Sequence, residues 1–450
     1  MTDTPPPTLP TLAQATRVWA RIGLLSFGGP AGQIALMHRE LVEQRRWIGE
    51  RRFLQALNFC ALLPGPEAQQ LATYLGWLMH GPRGGLVAGL LFILPGAAVM
   101  LALSVLFATL GTLPAVAALF AGLKCAVLVM VLQALVRLAG RALHGPLAWC
   151  LAGAAFAALF LLALPFPLVV AVAALAGLLA PAGLSRPAAT ADDGPPALID
   201  AVLAAEPARA ARLAAGARRA GLLALLLWLL PVALLLAAGP AAFADIAVFF
   251  SKMAVVTVGG AYAVLAYVAQ DAVRLHGWLT AQEMLAGLGL AESTPGPLIL
   301  VLQFVGFLAG ARAAAGPGGV AGGMLGSLLV LWVTFAPCFA FVFLGAPWIE
   351  RLQSSARLSG ALAGVTAAVV GVIANLALWF GLRVLFRAVR PAGIGPLSLE
   401  LPVWSSLDGP AVLLVGLAAA CLFGLRLGVV ACLLVAALAG LALAWAGLPV

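Results

Sequence analysis

Charge is scarce in this chain. Of its 450 residues only 9% are Asp, Glu, Lys or Arg, while 64% are apolar, and the mean hydropathy is +1.10. An ordinary globular domain carries about 25% charged residues, and its helices keep one polar face. Residues 85–110, 221–244, 320–346 and 358–382 hold no charge at all. Each run exceeds the ~20 apolar residues needed to cross a bilayer, so a soluble protein is excluded. A Lys/Arg stripe interleaved with aromatics is also missing, which removes nucleic acid as a partner despite the net charge of +9. Basic loops that fix membrane orientation account for that charge. The six cysteines (Cys60, Cys125, Cys150, Cys338, Cys421, Cys432) show no CxxC spacing and read as small core hydrophobes. The four histidines are scattered singly, so neither a metal site nor a cofactor motif emerges. There is no GxSxG elbow and no P-loop, which argues against an enzyme and against ATP as a fuel. The N-terminus, with Asp3 and a triple proline, lacks the layout of a cleaved signal peptide.

What the chain does have is an internal repeat. Gly28-Gly29, Trp47 and Pro64-Gly65-Pro66 recur as Gly259-Gly260, Trp278 and Pro295-Gly296-Pro297, every pair 231 residues apart. Tyr74-Leu75-Gly76-Trp77-Leu78 then resembles Phe304-Val305-Gly306-Phe307-Leu308 at an offset of 230. The same register pairs Arg21 with Lys252 and Ser26 with Thr257. Lys124 and Lys252 are the two lysines of the chain, and both lie in apolar segments. A base at membrane depth is costly and points to function; a snorkelling helix-end residue is the plainer alternative for Arg21.

The expected organisation is a first repeat over 12–180, a polar connector over 181–220, an extra transmembrane helix over 221–240 and a second repeat over 243–450. One unmatched crossing would invert the second half relative to the first. Loop charge agrees: residues 38–52 hold five arginines against three glutamates, and the equivalent 270–283 hold Arg274 against Asp271 and Glu283. Positive loops favour the cytoplasm, although Arg383, Arg387 and Arg390 would then lie outside. The fold class is an all-α integral membrane protein of two homologous halves, arranged as inverted repeats.

Phe27-Gly28-Gly29-Pro30 and Pro64-Gly65-Pro66 cannot continue a straight helix. Broken backbone is tolerated in a membrane where it is buried in protein or lines a wet cavity. Each motif therefore reads as the tip of a re-entrant or broken helix, with a simple packing kink as the alternative. A helix restarting after such a break points free N–H groups at the cavity, which suits an anion, and glycine admits it close to the backbone. The expected substrate site comprises Arg21, Ser26, Gly28, Gly29, Pro64, Gly65, Pro66, Lys252, Thr257, Gly259, Gly260, Ser293, Thr294, Pro295, Gly296 and Pro297. Glu67 and Glu292 flank the two Pro-Gly-Pro motifs, either as proton-coupling groups or as neutralising partners of the bases. Asn58, Gln69, Gln70, Lys124, Gln303 and Asn375 are further intramembrane polar residues.

At these residues the chain resembles the chromate ion transporter family in its long, two-domain form. The matching pieces are Phe27-Gly28-Gly29-Pro30, Glu43-Gln44-Arg45-Arg46-Trp47, Leu63-Pro64-Gly65-Pro66, Val258-Gly259-Gly260-Ala261-Tyr262 and Thr294-Pro295-Gly296-Pro297. The resemblance implies a multi-pass carrier of the cell's inner membrane that exports chromate, with sulfate as the natural look-alike, powered by the proton gradient. It implies antiparallel halves and allows a homodimer; the partners are the oxyanion, protons and lipid. The chain departs from the pattern at Ala61 and Glu292, where family members often carry glutamine three residues before Pro-Gly-Pro, and at Glu67-Ala68-Gln69-Gln70. Those departures leave sulfate or another oxyanion as the alternative substrate.

Overall fold

The computed structural model describes residues 9–27, 29–111, 113–181, 184, 197–256, 261–314, 319–348, 356–394 and 397–448. Helix α1 (Leu12–Leu25) opens with a capping box between Thr11 and Gln14. It stops at Ser26, and α2 (Gly29–His38) restarts with Gly29 at φ +72°. A π turn over Arg39–Gln44 leads to α3 (Glu50–Leu62), then to Pro64-Gly65-Pro66 and α4 (Glu67–Leu110).

Although continuous in name, α4 is two limbs. His80 and Gly81 leave helical geometry, Gly81 at φ +65°, and the chain folds back so that Gly76 lies against Gly84 with no room for a Cβ on either. Helices α5 (Pro114–Ala142), α6 (Pro146–Phe160) and α7 (Phe166–Leu179) complete the first half. The connecting segment contains α8 (Leu198–Ala205) and α9 (Pro207–Ala238).

The second half repeats this order. It runs α10 (Ala241–Val256), α11 (Ala261–Gln270), a π turn over Asp271–Leu275, and α12 (Ala281–Glu292). After the second Pro-Gly-Pro come a 3-10 turn (Leu298–Leu300), α13 (Val301–Ala313) and α14 (Gly319–Gly345). Gly306 against Gly326 reproduces the Gly76–Gly84 hairpin contact. Then follow α15 (Ala356–Leu385), a β-hairpin, α16 (Gly409–Ala419) and α17 (Val429–Trp445). Strands β1 (Val389–Ile394) and β2 (Leu397–Pro402) pair antiparallel, Val389 opposite Pro402.

Among the described residues five helices are long and apolar enough to span a bilayer: Glu67–Leu110, Pro114–Ala142, Ala208–Ala238, Gly319–Trp348 and Arg357–Leu385. Shorter apolar helices stand beside them. The halves are interlocked. Helix α7 packs on α15 and α17 on α5, so the last helix of each half grips the long helix of the other. The second limb of α4 and its counterpart α14 run antiparallel, Gly85 against Phe343 and Gly89 against Phe339. One apolar core runs through both halves.

Candidate functional site

The two Pro-Gly-Pro tips cross to the opposite half. The Gly296 N–H donates to the Ser26 carbonyl at 2.8 Å. The Gln33 amide, 1% exposed, donates to the Gly296 carbonyl at 2.5 Å and reaches the Ser26 carbonyl at 3.4 Å. Gly96, in the second limb of α4, lies against the Pro295 carbonyl, where any Cβ would collide. At the next residue of α4, the Ala97 carbonyl accepts from Gln303 at 3.1 Å. The first tip is built the same way. Gly65 sits against Cys338 Sγ in α14 and the Gln70 side chain, and Gln70 donates to the Pro64 carbonyl at 2.6 Å. Cys338 follows Pro337 in α14 as Gly96 follows Pro95 in α4. Each tip therefore meets the same point on the other half's proline-bearing helix. Gly65 and Gly296 have φ of +118° and +94°, which favours glycine over any L side chain.

The helices that leave these tips start uncapped. Pro66 and Pro297 occupy their N-cap positions, and neither start has a side-chain cap. Their first N–H groups and the positive end of the helix dipole are available to an anion. Glu67 is half-buried as the first residue of α4. Glu292, 8% exposed, ends α12 just before the second tip. The side-chain oxygens of Gln33, Gln69, Gln70 and Gln303 are buried and accept no hydrogen bond among the described residues, leaving four acceptors open to a donor.

The hydroxyls behave differently from expectation. Ser26 donates to the Ile22 carbonyl at 2.6 Å; Ser293 and Thr294 both donate to the Leu290 carbonyl, at 2.8 and 2.6 Å. In apolar surroundings a hydroxyl takes the carbonyl one turn back, and its proton is then committed. Gly28, Thr257, Gly259 and Gly260 lie outside the described residues.

Arg21 and Lys252 are both exposed and each belongs to a cluster in its own half. Arg21 Nε is 3.7 Å from Glu40, which is 1% exposed and also bonded by Arg45. Arg45 lies over Trp47, 5.7 Å from the ring centroid. Adding 231 to these four positions gives Lys252, Asp271, His276 and Trp278. His276 stacks on Trp278 at 4.3 Å. Burial pushes the Asp271 carboxyl above its ordinary value, against the opposing effects of the Tyr267 hydrogen bond and the charges of His276 and Lys252. The first half thus holds an ion-paired base–acid–base clamp at the π turn that follows α2, and the second half sets the equivalent bases around Asp271 at the π turn that follows α11, without an ion pair among the described residues.

Asn58 is exposed, and Asn375 lines a cavity of about 20 Å³ with Arg274, Trp379 and Glu400. Lys124 is half-buried on α5 at a larger cavity. Sequence reading missed Gln33, although a glutamine in an otherwise apolar helix three positions after Pro30 was a visible signal. It also missed Glu40 and Asp271, whose common offset of 231 residues marked them.

A sequence model of the chromate transporter family matches residues 13–178 and 244–441. A chromate transport protein of Pseudomonas aeruginosa is 34% identical over 363 residues, covering 78% of this chain and 77% of that protein. A chromate transport protein of Cupriavidus metallidurans is 28% identical over 368 residues, 81% of each chain. A probable chromate transport protein of Synechococcus elongatus is 26% identical over 391 residues, covering 82% of this chain and 85% of that one. No solved structure matches the chain.

Proposed function

The chain belongs to the chromate transporter family, and we propose that it carries chromate out of the cell across the plasma membrane, coupled to the proton gradient. The observation that carries this reading is the junction of the halves at Gly296, where a broken helix of one half is hydrogen-bonded to Ser26 and Gln33 of the other. A substrate held between such tips binds where the halves meet, so relative motion of the halves exposes it to one side and then the other. The antiparallel course of α4's second limb and α14 supports an inverted arrangement, which that alternation needs. Uncapped helix starts after Pro66 and Pro297 suit an oxyanion, and the glycines allow it against the backbone.

Export follows from charge. A dianion leaving a negative-inside cell gains about 4–5 kcal/mol per 100 mV. Glu67 and Glu292 flank the tips and are the coupling groups, taking up a proton from outside once the anion has left and carrying it inward on the anion-free return. Sulfate, the same tetrahedral dianion, is the second reading, favoured by the departures at Ala61, Glu67 and Glu292.

Proteoliposomes loaded with radiolabelled chromate or sulfate test this. Chromate efflux should rise with an imposed proton gradient. Glu67→Gln or Glu292→Gln should flatten the pH dependence of net flux while chromate–chromate exchange persists. Flux of sulfate alone moves the reading to sulfate, and wild-type pH profiles in both variants remove the carboxylates from coupling.

A further inference from the structure

A cavity of about 180 Å³ opens between α5, the start of α12, the end of α15 and the start of α16. It is larger than the ~150 Å³ apolar cavity that accommodates benzene, but its wall is cationic. Lys124, Arg383 and Arg387 line it against a single acid, Asp408, with Gln282 and Phe386 between them. The two arginines are preorganised by acids. Arg383 bonds Glu400 at 2.7 and 3.0 Å, and Arg387 Nε bonds Asp408 at 2.9 Å. Gln282 pins the rim by donating to the Arg383 carbonyl at 2.9 Å.

Lys124 is the exception. It makes no ion pair among the described residues, and the acid that acts on it, Glu283, is itself clamped by Arg312 at 2.7 and 2.8 Å. Arg383 and Arg274 share Glu400 and Arg387 takes Asp408, so positive charge is in excess around the cavity, and Lys124 is the lining cation with no ion pair among the described residues. A half-buried base that no acid holds, inside a transmembrane helix, is costly unless an anion visits it.

The repeat makes the feature one-sided. Pro95 to Pro337 and Gly122 to Gly364 are both offsets of 242, which places Thr366 of α15 where α5 has Lys124. Thr366 is uncharged and donates to the Leu362 carbonyl at 2.8 Å. Helix α12 joins the cavity wall to the second tip. From Gln282 to Ser293 is eleven residues along α12, about 16 Å of helix, with α5 packed beside it through Leu123 and Val127 against Gly289.

We propose that this cavity is a second oxyanion site, a docking station on one side of the membrane where a tetrahedral dianion is held by Lys124 on its way to or from the tips. The direction of passage rests on the transport reading above; the binding does not. Equilibrium binding of chromate and of sulfate to the purified full chain in neutral detergent therefore comes first. The wild type should show two classes of site, and Lys124→Gln should weaken one of them about tenfold, the loss of one partly screened charge. Lys124→Arg, which restores the charge, should recover it and also controls for folding. Two equal classes in Lys124→Gln would overturn the station. So would retention of phosphatidylglycerol by the wild type and not by Lys124→Gln in native mass spectra, with chromate binding unchanged, because the cavity would then hold a lipid headgroup. Lys124-dependent binding in a protein that moves no chromate would keep the station and overturn the transport reading.

Discussion

In the first half the acid of the clamp is Glu40, 1% exposed between Arg21 and Arg45; in the second it is Asp271, half-buried and facing Lys252 and His276. The positions correspond residue for residue, yet the chemistry does not. The first clamp sets two arginines on a buried glutamate. The second sets an imidazole and an exposed lysine near a half-buried aspartate. Duplication preserved where the clamp sits on the π turn, because the turn geometry sets that. It did not preserve what the clamp is worth, because burial differs. The tips teach the same lesson. Polar residues follow the first Pro-Gly-Pro (Glu67, Gln69, Gln70) and precede the second (Glu292, Ser293, Thr294), while both glycines keep positive φ.

The largest expected effect tests whether the halves are inverted at all. Gln44 and Leu275 are equivalent, exposed positions on the two clamp turns. In a cysteine-free background Gln44→Cys and Leu275→Cys should react with a membrane-impermeant thiol reagent from opposite sides. Labelling of both from one side would end the inverted arrangement and the alternating mechanism with it.

Next comes the asymmetry of the clamps. Glu40→Gln removes the buried carboxylate that Arg45 bonds and should lower stability by roughly 1.5–3 kcal/mol. Asp271→Asn, at a half-exposed pair, should cost about 1 kcal/mol or less. Thermal unfolding of the solubilised protein compares them. Equal losses would mean that the second clamp is as deeply committed as the first.

The smallest effect concerns a charge cluster that only one half is shown to have, at the β-hairpin. Burial alone would raise Glu400, but the Arg383 hydrogen bond and the charges of Arg274 and Arg383 hold its carboxyl below the usual 4.5. A depressed carboxyl stabilises fully above its unfolded value, and that contribution fades as pH falls through the lowered folded value. Hydrogen exchange over residues 389–402 should therefore quicken only well below pH 4.5, by an amount on the order of 1 kcal/mol for this partly exposed network. Glu400→Gln should show the faster exchange already at neutral pH. Acid-insensitive exchange in the wild type would mean that the hairpin is held by other contacts.

The same network explains an awkward point in the loop charges. Arg383 and Arg387 argue against inversion when counted as free bases. In the structure Arg387 pairs with Asp408 and Arg383 shares Glu400 with Arg274, so part of that charge is neutralised, while Arg390 stays exposed.

Membrane residence, the repeat and the breaks at Gly-Gly-Pro and Pro-Gly-Pro were legible in the residues, because hydrophobic length and the geometry of glycine and proline are local properties. The sequence by itself determined that much, and the 231-residue offset also marked the acids Glu40 and Asp271, which sequence reading passed over. Only the tertiary structure decided which tip meets which helix, since Ser26 and Gly296 come together through the packing of the two halves. Helix rotation also turned Arg21 and Lys252 toward acids of their own halves, and an apolar setting committed the protons of Ser26, Ser293 and Thr294 to carbonyls. Which way a side chain faces depends on the helix packed against it, and that helix lies hundreds of residues away.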